Sequence, residues 1–172
     1  MSASIKRDAL SESELSRLWT ALDELTDPEI PVVTLREMGI LRNVCRAADG
    51  RVEVVITPTY SGCPAMDVMK FDVEKALRGA GIERFSVKQV LSPAWTTDWI
   101  SESGKQKLRD YGIAPPPHSA DIRALKGGTP VTACPQCGST DTKLISQFGS
   151  TPCKALYKCN HCLEPFDLFK CH

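Results

Sequence analysis

No apolar run in this sequence approaches the roughly 18 residues that a membrane span requires, so no membrane association is expected. The N-terminus, Met1-Ser-Ala-Ser-Ile-Lys-Arg7, lacks the apolar stretch of a secretory leader, and a cytoplasmic chain is expected. Charge of one sign is also missing: 21 Lys and Arg balance 21 Asp and Glu. That balance removes the electrostatic argument for nucleic acid or an anionic surface. Histidine is scarce. The three present, His118, His161 and His172, lie at or beyond a proline-rich stretch, and none follows a glutamate by three positions. The Glu-x-x-His helices of di-iron carboxylate sites are therefore absent. There is no Gly-rich nucleotide loop and no internal repeat. With these exclusions, the chemistry that remains is thiol chemistry.

Cysteine is what the chain has in quantity. Six of its eight cysteines (Cys134, Cys137, Cys153, Cys159, Cys162, Cys171) crowd the C-terminal segment. In a secreted chain that density would mean disulfides; in a reducing compartment it points to metal ligands. Cys134-Pro-Gln-Cys137 and Cys159-Asn-His-Cys162 are two C-x2-C pairs. The spacing lets both thiolates of a pair face one ion while turn amides donate to sulfur, and Gly138 suits the tight knuckle. Two knuckles predict a tetrahedral four-thiolate site of the zinc-ribbon kind, holding zinc or iron, since spacing does not separate the two metals. A segment this short cannot bury enough core to fold alone, so the ion would contribute folding free energy directly. Cys153 and Cys171 are either buried fillers or extra ligands. His161, inside the second knuckle, is expected to be exposed. From 132 to 172 there are four lysines, no arginine and three carboxylates, which is not the basic stripe of a nucleic-acid reader.

Upstream, the pattern is that of an α+β domain. Residues 1–10 read as a loose tail. Ser11 and Glu14 form a capping-box pattern ahead of Leu15, Leu18, Trp19, Leu22 and Leu25, an amphipathic helix. Asp27-Pro-Glu-Ile-Pro31 cannot be regular, because two prolines remove donors and bias the residues before them. Thr34 and Glu37 predict one helical turn. Runs 40–46 and 51–57 flank Asp49-Gly50, a hairpin signal. A helix over 65–77 and a strand over 85–91 follow, which favours a parallel crossover, and a last short helix is expected near 102–111. The expected order is α-β-β-α-β-α around a small mixed three-stranded sheet, followed by the four-cysteine β domain. The expected boundaries are a domain over 11–114, a Pro/Gly linker over 115–130 and a ribbon over 131–172.

One cysteine stands apart. In Thr57-Pro-Thr-Tyr-Ser-Gly-Cys63-Pro64 a strand gives way to a helix, and proline at the first helical position would place Cys63 at the N-cap. There the helix dipole and free amides would favour a thiolate, making Cys63 a reactive thiol or a metal ligand rather than a small buried filler. Cys45, inside a strand, reads as core. No histidine in this domain offers Cys63 a general base, so a hydrolase is not supported and no catalytic residue is assigned. Asp27 and Glu29 are candidates for an acidic rim or for turn caps.

Asp27-Pro-Glu-Ile-Pro31, the Gly39-Ile-Leu turn and Thr57-x5-Cys63-Pro64 resemble the metal–sulfur cluster assembly family, also known as domain of unknown function 59, over residues 14–113. Longer motifs resemble the branch of that family found with phenylacetate degradation: Pro93-Ala-Trp-Thr-Thr-Asp-Trp99, Tyr111-Gly-Ile-Ala-Pro115, Phe148-Gly-Ser-Thr-Pro-Cys-Lys-Ala-Leu-Tyr-Lys-Cys159 and Glu164-Pro-Phe-Asp167. The resemblance implies a non-catalytic accessory protein that assembles or delivers an iron–sulfur cluster to the reductase of the phenylacetyl-CoA-epoxidising oxygenase. It implies Cys63 as the ligand of a transient cluster, Asp27 and Glu29 as the family's acidic motif, and a place for Cys153 and Cys171 as extra ligands. Implied partners are the oxygenase components, iron–sulfur scaffold proteins and a second copy of the chain. A structural or electron-transfer subunit is the alternative, and a thiol enzyme using Cys63 the third reading.

Overall fold

The computed structural model describes residues 10–116 and 131–170. Most of the expected tail and linker, together with Cys171, His118 and His172, lies outside the described residues. The chain divides into two compact units, Met1–Ala94 and Trp95–His172.

In the first unit, α1 (Glu12–Asp23) starts on the expected capping box. Ser11 Oγ accepts the Glu14 N–H at 3.3 Å, and the Glu14 carboxylate accepts the Ser11 N–H at 3.0 Å. Leu18 and Leu22 on its inner face are buried. The Thr34–Glu37 box forms too, with reciprocal bonds of 3.0 and 3.1 Å, and the Met38 N–H closes one turn on the Thr34 carbonyl. Strands β1 (Leu41–Arg46) and β2 (Val52–Ile56) make the hairpin, and Gly50 takes the positive φ (+83°) that its turn needs. Helix α2 (Met66–Gly79) then leads to β3 (Phe85–Gln89), which lies parallel to β2, so the sheet order is β1-β2-β3. Val52, Val54 and Ile56 alternate inward from β2 to meet Met69, Val73 and Leu77 among the buried residues of α2. The mixed three-stranded α+β unit is as expected.

The second unit differs in extent from the expected ribbon. It begins at Trp95 and includes a 3-10 turn (Thr97–Trp99), helix α3 (Glu102–Asp110) capped by the Ser101 hydroxyl, and a two-residue strand β4 (Ile113–Ala114). Strands β5 (Thr142–Ser146), β6 (Lys154–Cys159) and β7 (Pro165–Phe169) form an antiparallel meander, and β4 adds to it parallel to β7, giving the order β4-β7-β6-β5. Residues 95–114, expected with the first domain, fall in the same compact unit as the ribbon, and Ile113 and Ala114 pair with β7. The physical reason is that Ile113 and Ala114 are both buried and hydrogen-bonded to β7, an arrangement too short to leave a period in the sequence. Trp95 is buried against Phe169, with ring centroids 5.9 Å apart. A small core of Ala114, Ala155, Tyr157, Phe166 and Leu168 completes the unit, together with the sulfurs of Cys134 and Cys159.

Candidate functional site

The four predicted ligands converge. The Gly138 N–H bonds the Cys134 carbonyl at 2.9 Å, which closes the first knuckle, and Gly138 has φ +73°. In the second, the Cys162 N–H points to the Cys159 sulfur at 3.5 Å and the Cys159 N–H bonds the Glu164 carbonyl at 3.0 Å. The Sγ atoms of Cys134 and Cys162 are 3.7 Å apart and those of Cys137 and Cys159 are 3.6 Å apart. All four lie within 4.8 Å of one another. A tetrahedron built on a zinc–sulfur bond of about 2.3 Å has an edge of about 3.8 Å, so the set fits one ion. A polynuclear cluster places several irons between its thiolates and would spread them wider. The electrostatics agree: the backbone N–H of Cys162, the His161 N–H and the neighbouring thiols hold Cys159 down to about 6. The Glu164 N–H pulls Cys162 down, but burial and the thiols of Cys137, Cys159 and Cys134 outweigh it and push that group up to about 12. Four thiols this close cannot all ionise without a cation among them.

Cys153 is not one of the four. It is buried, with its sulfur 3.0 Å from the Thr151 hydroxyl. His161 is exposed, as expected.

The thiol of the first unit sits in a different setting. Helix α2 has Ala65 at its N-cap, so the expected N-cap position of Cys63 is corrected by two residues. Cys63, Pro64 and Ala65 form a separate turn, closed by the Met66 N–H on the Cys63 carbonyl at 3.3 Å, before the helix begins. The expected thiolate is corrected with it. Burial pushes the half-buried Cys63 thiol up, and the carboxylates of Glu29 and Asp27 push it further, against hydrogen bonds from the Ala65 N–H and the Tyr60 side chain. The structure therefore brings Asp27 and Glu29 to Cys63 from a distant part of the sequence. Asp27 is itself buried, and its carboxylate accepts the N–H groups of Glu29 at 2.7 Å and Ile30 at 3.0 Å. It is a turn cap and a neighbour of the thiol at once. Tyr60 is legible in the sequence only as part of a polar run; its contact with the sulfur depends on the tight turn in which the Cys63 N–H bonds the Tyr60 carbonyl at 3.3 Å. Cys45 is half-buried in β1 opposite Glu53. Among the described residues, no helix is long and apolar enough to cross a membrane.

Known proteins divide along the same line. Residues 15–91 match the family described as "Iron-sulfur cluster assembly protein", and residues 118–170 match the one described as "PaaD zinc beta ribbon domain". A protein of Escherichia coli (strain K12), named as a putative subunit of 1,2-phenylacetyl-CoA epoxidase, is 44% identical over 163 residues, covering 94% of this chain and 96% of that protein. An "Fe-S protein maturation auxiliary factor" of Porphyromonas gingivalis (strain ATCC BAA-308 / W83) is 32% identical over 99 residues, or 57% of this chain and 90% of that protein. A crystal structure of a domain of unknown function 59 from Bacillus anthracis matches with a TM-score of 0.49 and 25% identity, over 54% of this chain and 89% of that one.

Proposed function

The chain belongs to the family of the Escherichia coli epoxidase protein, and on that premise we propose that it is an accessory protein of aerobic phenylacetate degradation that assembles or delivers an iron–sulfur cluster to the reductase of the phenylacetyl-CoA-epoxidising oxygenase. One observation carries the reading. The unit that matches an iron–sulfur cluster assembly protein holds a half-buried thiol beside two carboxylates, while the ribbon holds its own closed set of four thiolates.

The two thiol sets suit different tasks. A four-cysteine site around one ion has no open position, so it suits a resident structural zinc, with Cys134, Cys137, Cys159 and Cys162 as ligands. Cys63 suits cargo. Asp27 and Glu29 disfavour a bare thiolate next to them, and the same two charges favour any cationic metal centre that the sulfur binds. One thiolate cannot saturate a cluster, so the remaining ligands come from a scaffold protein or from Cys63 of a second copy. That makes binding transient, which suits a carrier.

The test is the iron and acid-labile sulfide content of the reductase purified from cells with the chain, without it, and with Cys63→Ser. The reading expects a depleted reductase in the second and third cases; full cluster loading in both would overturn it. A second reading, a stable component of the oxygenase complex, is favoured by the name of the Escherichia coli relative. Co-purification with the oxygenase in fixed stoichiometry, with the reductase fully loaded in the absence of the chain, would select it.

A further inference from the structure

The ribbon sheet has two faces, and only one of them is accounted for by the metal centre. Along β6 the side chains of Ala155, Tyr157 and Cys159 enter the core that includes the metal ligands, so Lys154, Leu156 and Lys158 point to the opposite face. At one end of that face Lys154 is buried and 3.9 Å from Asp167, whose carboxylate also accepts the Ser150 hydroxyl at 2.6 Å. At the other end the register sets Lys143 of β5 directly opposite Lys158 of β6, with Pro165 of β7 on the far side of Lys158. Lys143 and Pro165 are exposed and Lys158 is half-buried. Like charges directly opposite one another weaken a strand pair. Among the described residues neither ammonium has an ion pair: the nearby Asp141 carboxylate accepts the Asn160 side chain at 2.7 Å, and Asp167 is engaged with Lys154.

A lysine on an edge strand has a simpler use, since it discourages edge-to-edge pairing. That explains Lys143, because β5 is an edge. It does not explain Lys158, which sits on the interior strand β6. An interior like-charge pair costs stability without protecting an edge, and an anionic surface laid over it would relieve that cost.

We infer that this face of the ribbon, centred on Lys143 and Lys158 with Leu156 and Pro165 beside Lys158, docks an acidic patch on a partner protein. The inference rests on the proposed function for the identity of that partner, the reductase of the oxygenase. A chain with no net charge can still select a charged partner through the local placement of its charges, here two lysines directly opposite one another at one end of one sheet.

The experiment is a binding titration of the full chain with purified reductase at low and at physiological ionic strength, repeated with Lys143→Glu, Lys158→Gln and a control, Lys75→Glu on α2. Wild type should bind more weakly as salt rises, because screening shortens the attraction. Lys143→Glu should weaken binding about tenfold or more, Lys158→Gln less, and the control should match wild type. Thermal melting separates docking from folding. Lys143→Glu turns a like-charge pair into an opposite-charge one, so its ribbon should melt at the same temperature as wild type or above it. If it melts lower, Lys158→Gln decides. Binding of both lysine variants at wild-type strength, or binding indifferent to salt, would overturn the inference and leave the proposed function standing. Tighter binding of a single-stranded RNA than of the reductase, lost in the same variants, would overturn it in favour of nucleic acid. Failure of wild type to bind the reductase at any salt would remove both the inference and the delivery reading.

Discussion

In Met1–Ala94 the residues with no exposure come from elements far apart in the sequence: Leu22 on α1, Ile30 and Leu35 in the loop after it, Val54 and Ile56 on β2, and Leu77 on α2. In Trp95–His172 the ribbon core is smaller, and two of its members, Cys134 and Cys159, belong to the four-thiol set that could hold a metal ion. The first unit is held by burial of apolar surface that does not depend on any solute, whereas the ribbon draws on thiolates that repel one another until an ion joins them. The difference teaches where each unit is vulnerable. The largest expected effect is therefore on the ribbon: a strong chelator, or Cys159→Ser, should abolish its cooperative unfolding and collapse its dispersed amide resonances while those of the first unit persist. Acid should act in the same direction, because the ligands bind metal only when deprotonated, and metal retention should fall as the pH drops. A ribbon that keeps its dispersion after exhaustive chelation would break the comparison.

The matching probe of the first unit is Leu22→Ala. It removes a fully buried side chain from the α1 face and should cost about 2–5 kcal/mol, read by denaturant unfolding of the metal-loaded chain. Metal content should not change. If metal is lost with it, the two units are less independent than their separate cores imply.

The two knuckles allow a finer comparison inside the ribbon. Gly138 after the first and Leu163 after the second both have positive φ, +73° and +68°. Glycine adopts that conformation freely, whereas a side chain is strained in it. Leu163 is also 63% exposed, so little packing is lost when it is removed. Leu163→Gly should therefore stabilise the ribbon by about 0.5–1 kcal/mol, after allowance for glycine's greater freedom in the unfolded chain. Equal or lower stability would mean that the leucine side chain makes up the strain through contacts of its own.

How much of this is legible in the sequence depends on whether a local signal exists. Both capping boxes, the Asp49-Gly50 hairpin and the C-x2-C pairs are local patterns, and each forms where its residues lie. What the sequence hides is what only tertiary contact creates. β4 is two residues long and has no period; it exists because β7 offers a partner. The turn of Cys63-Pro64-Ala65 displaces the helix start by two residues, since proline is compatible both with a first helical turn and with the turn before one. The pairing of Cys63 with Asp27 and Glu29 joins segments separated by the whole hairpin, and no spacing encodes it. For the same reason, local pattern alone gives the wrong direction for the Cys63 shift: the helix dipole is visible there, the burial of the thiol and the carboxylates near it are not.

That reversal leads to the smallest and most diagnostic prediction, because it sets one unit's thiol against the other's. In the metal-free chain the ribbon's thiols are those of an unfolded segment, whereas burial and two carboxylates push Cys63 above the ordinary thiol range. A thiol reacts as its thiolate, so at neutral pH Cys63 should alkylate more slowly than Cys159 and should speed up as pH rises toward its shifted value. Glu29→Gln removes a negative charge without changing shape; the Cys63 thiolate then costs less, and its alkylation at neutral pH should accelerate. Tyr60→Phe, which removes a donor to the sulfur, should act the other way. Mass spectrometry of iodoacetamide-labelled peptides over a pH series reads both. If Glu29→Gln left the rate unchanged, the acidic pair would be only a turn scaffold, and the electrostatic distinction between Cys63 and the ribbon thiols would have to be sought in burial alone.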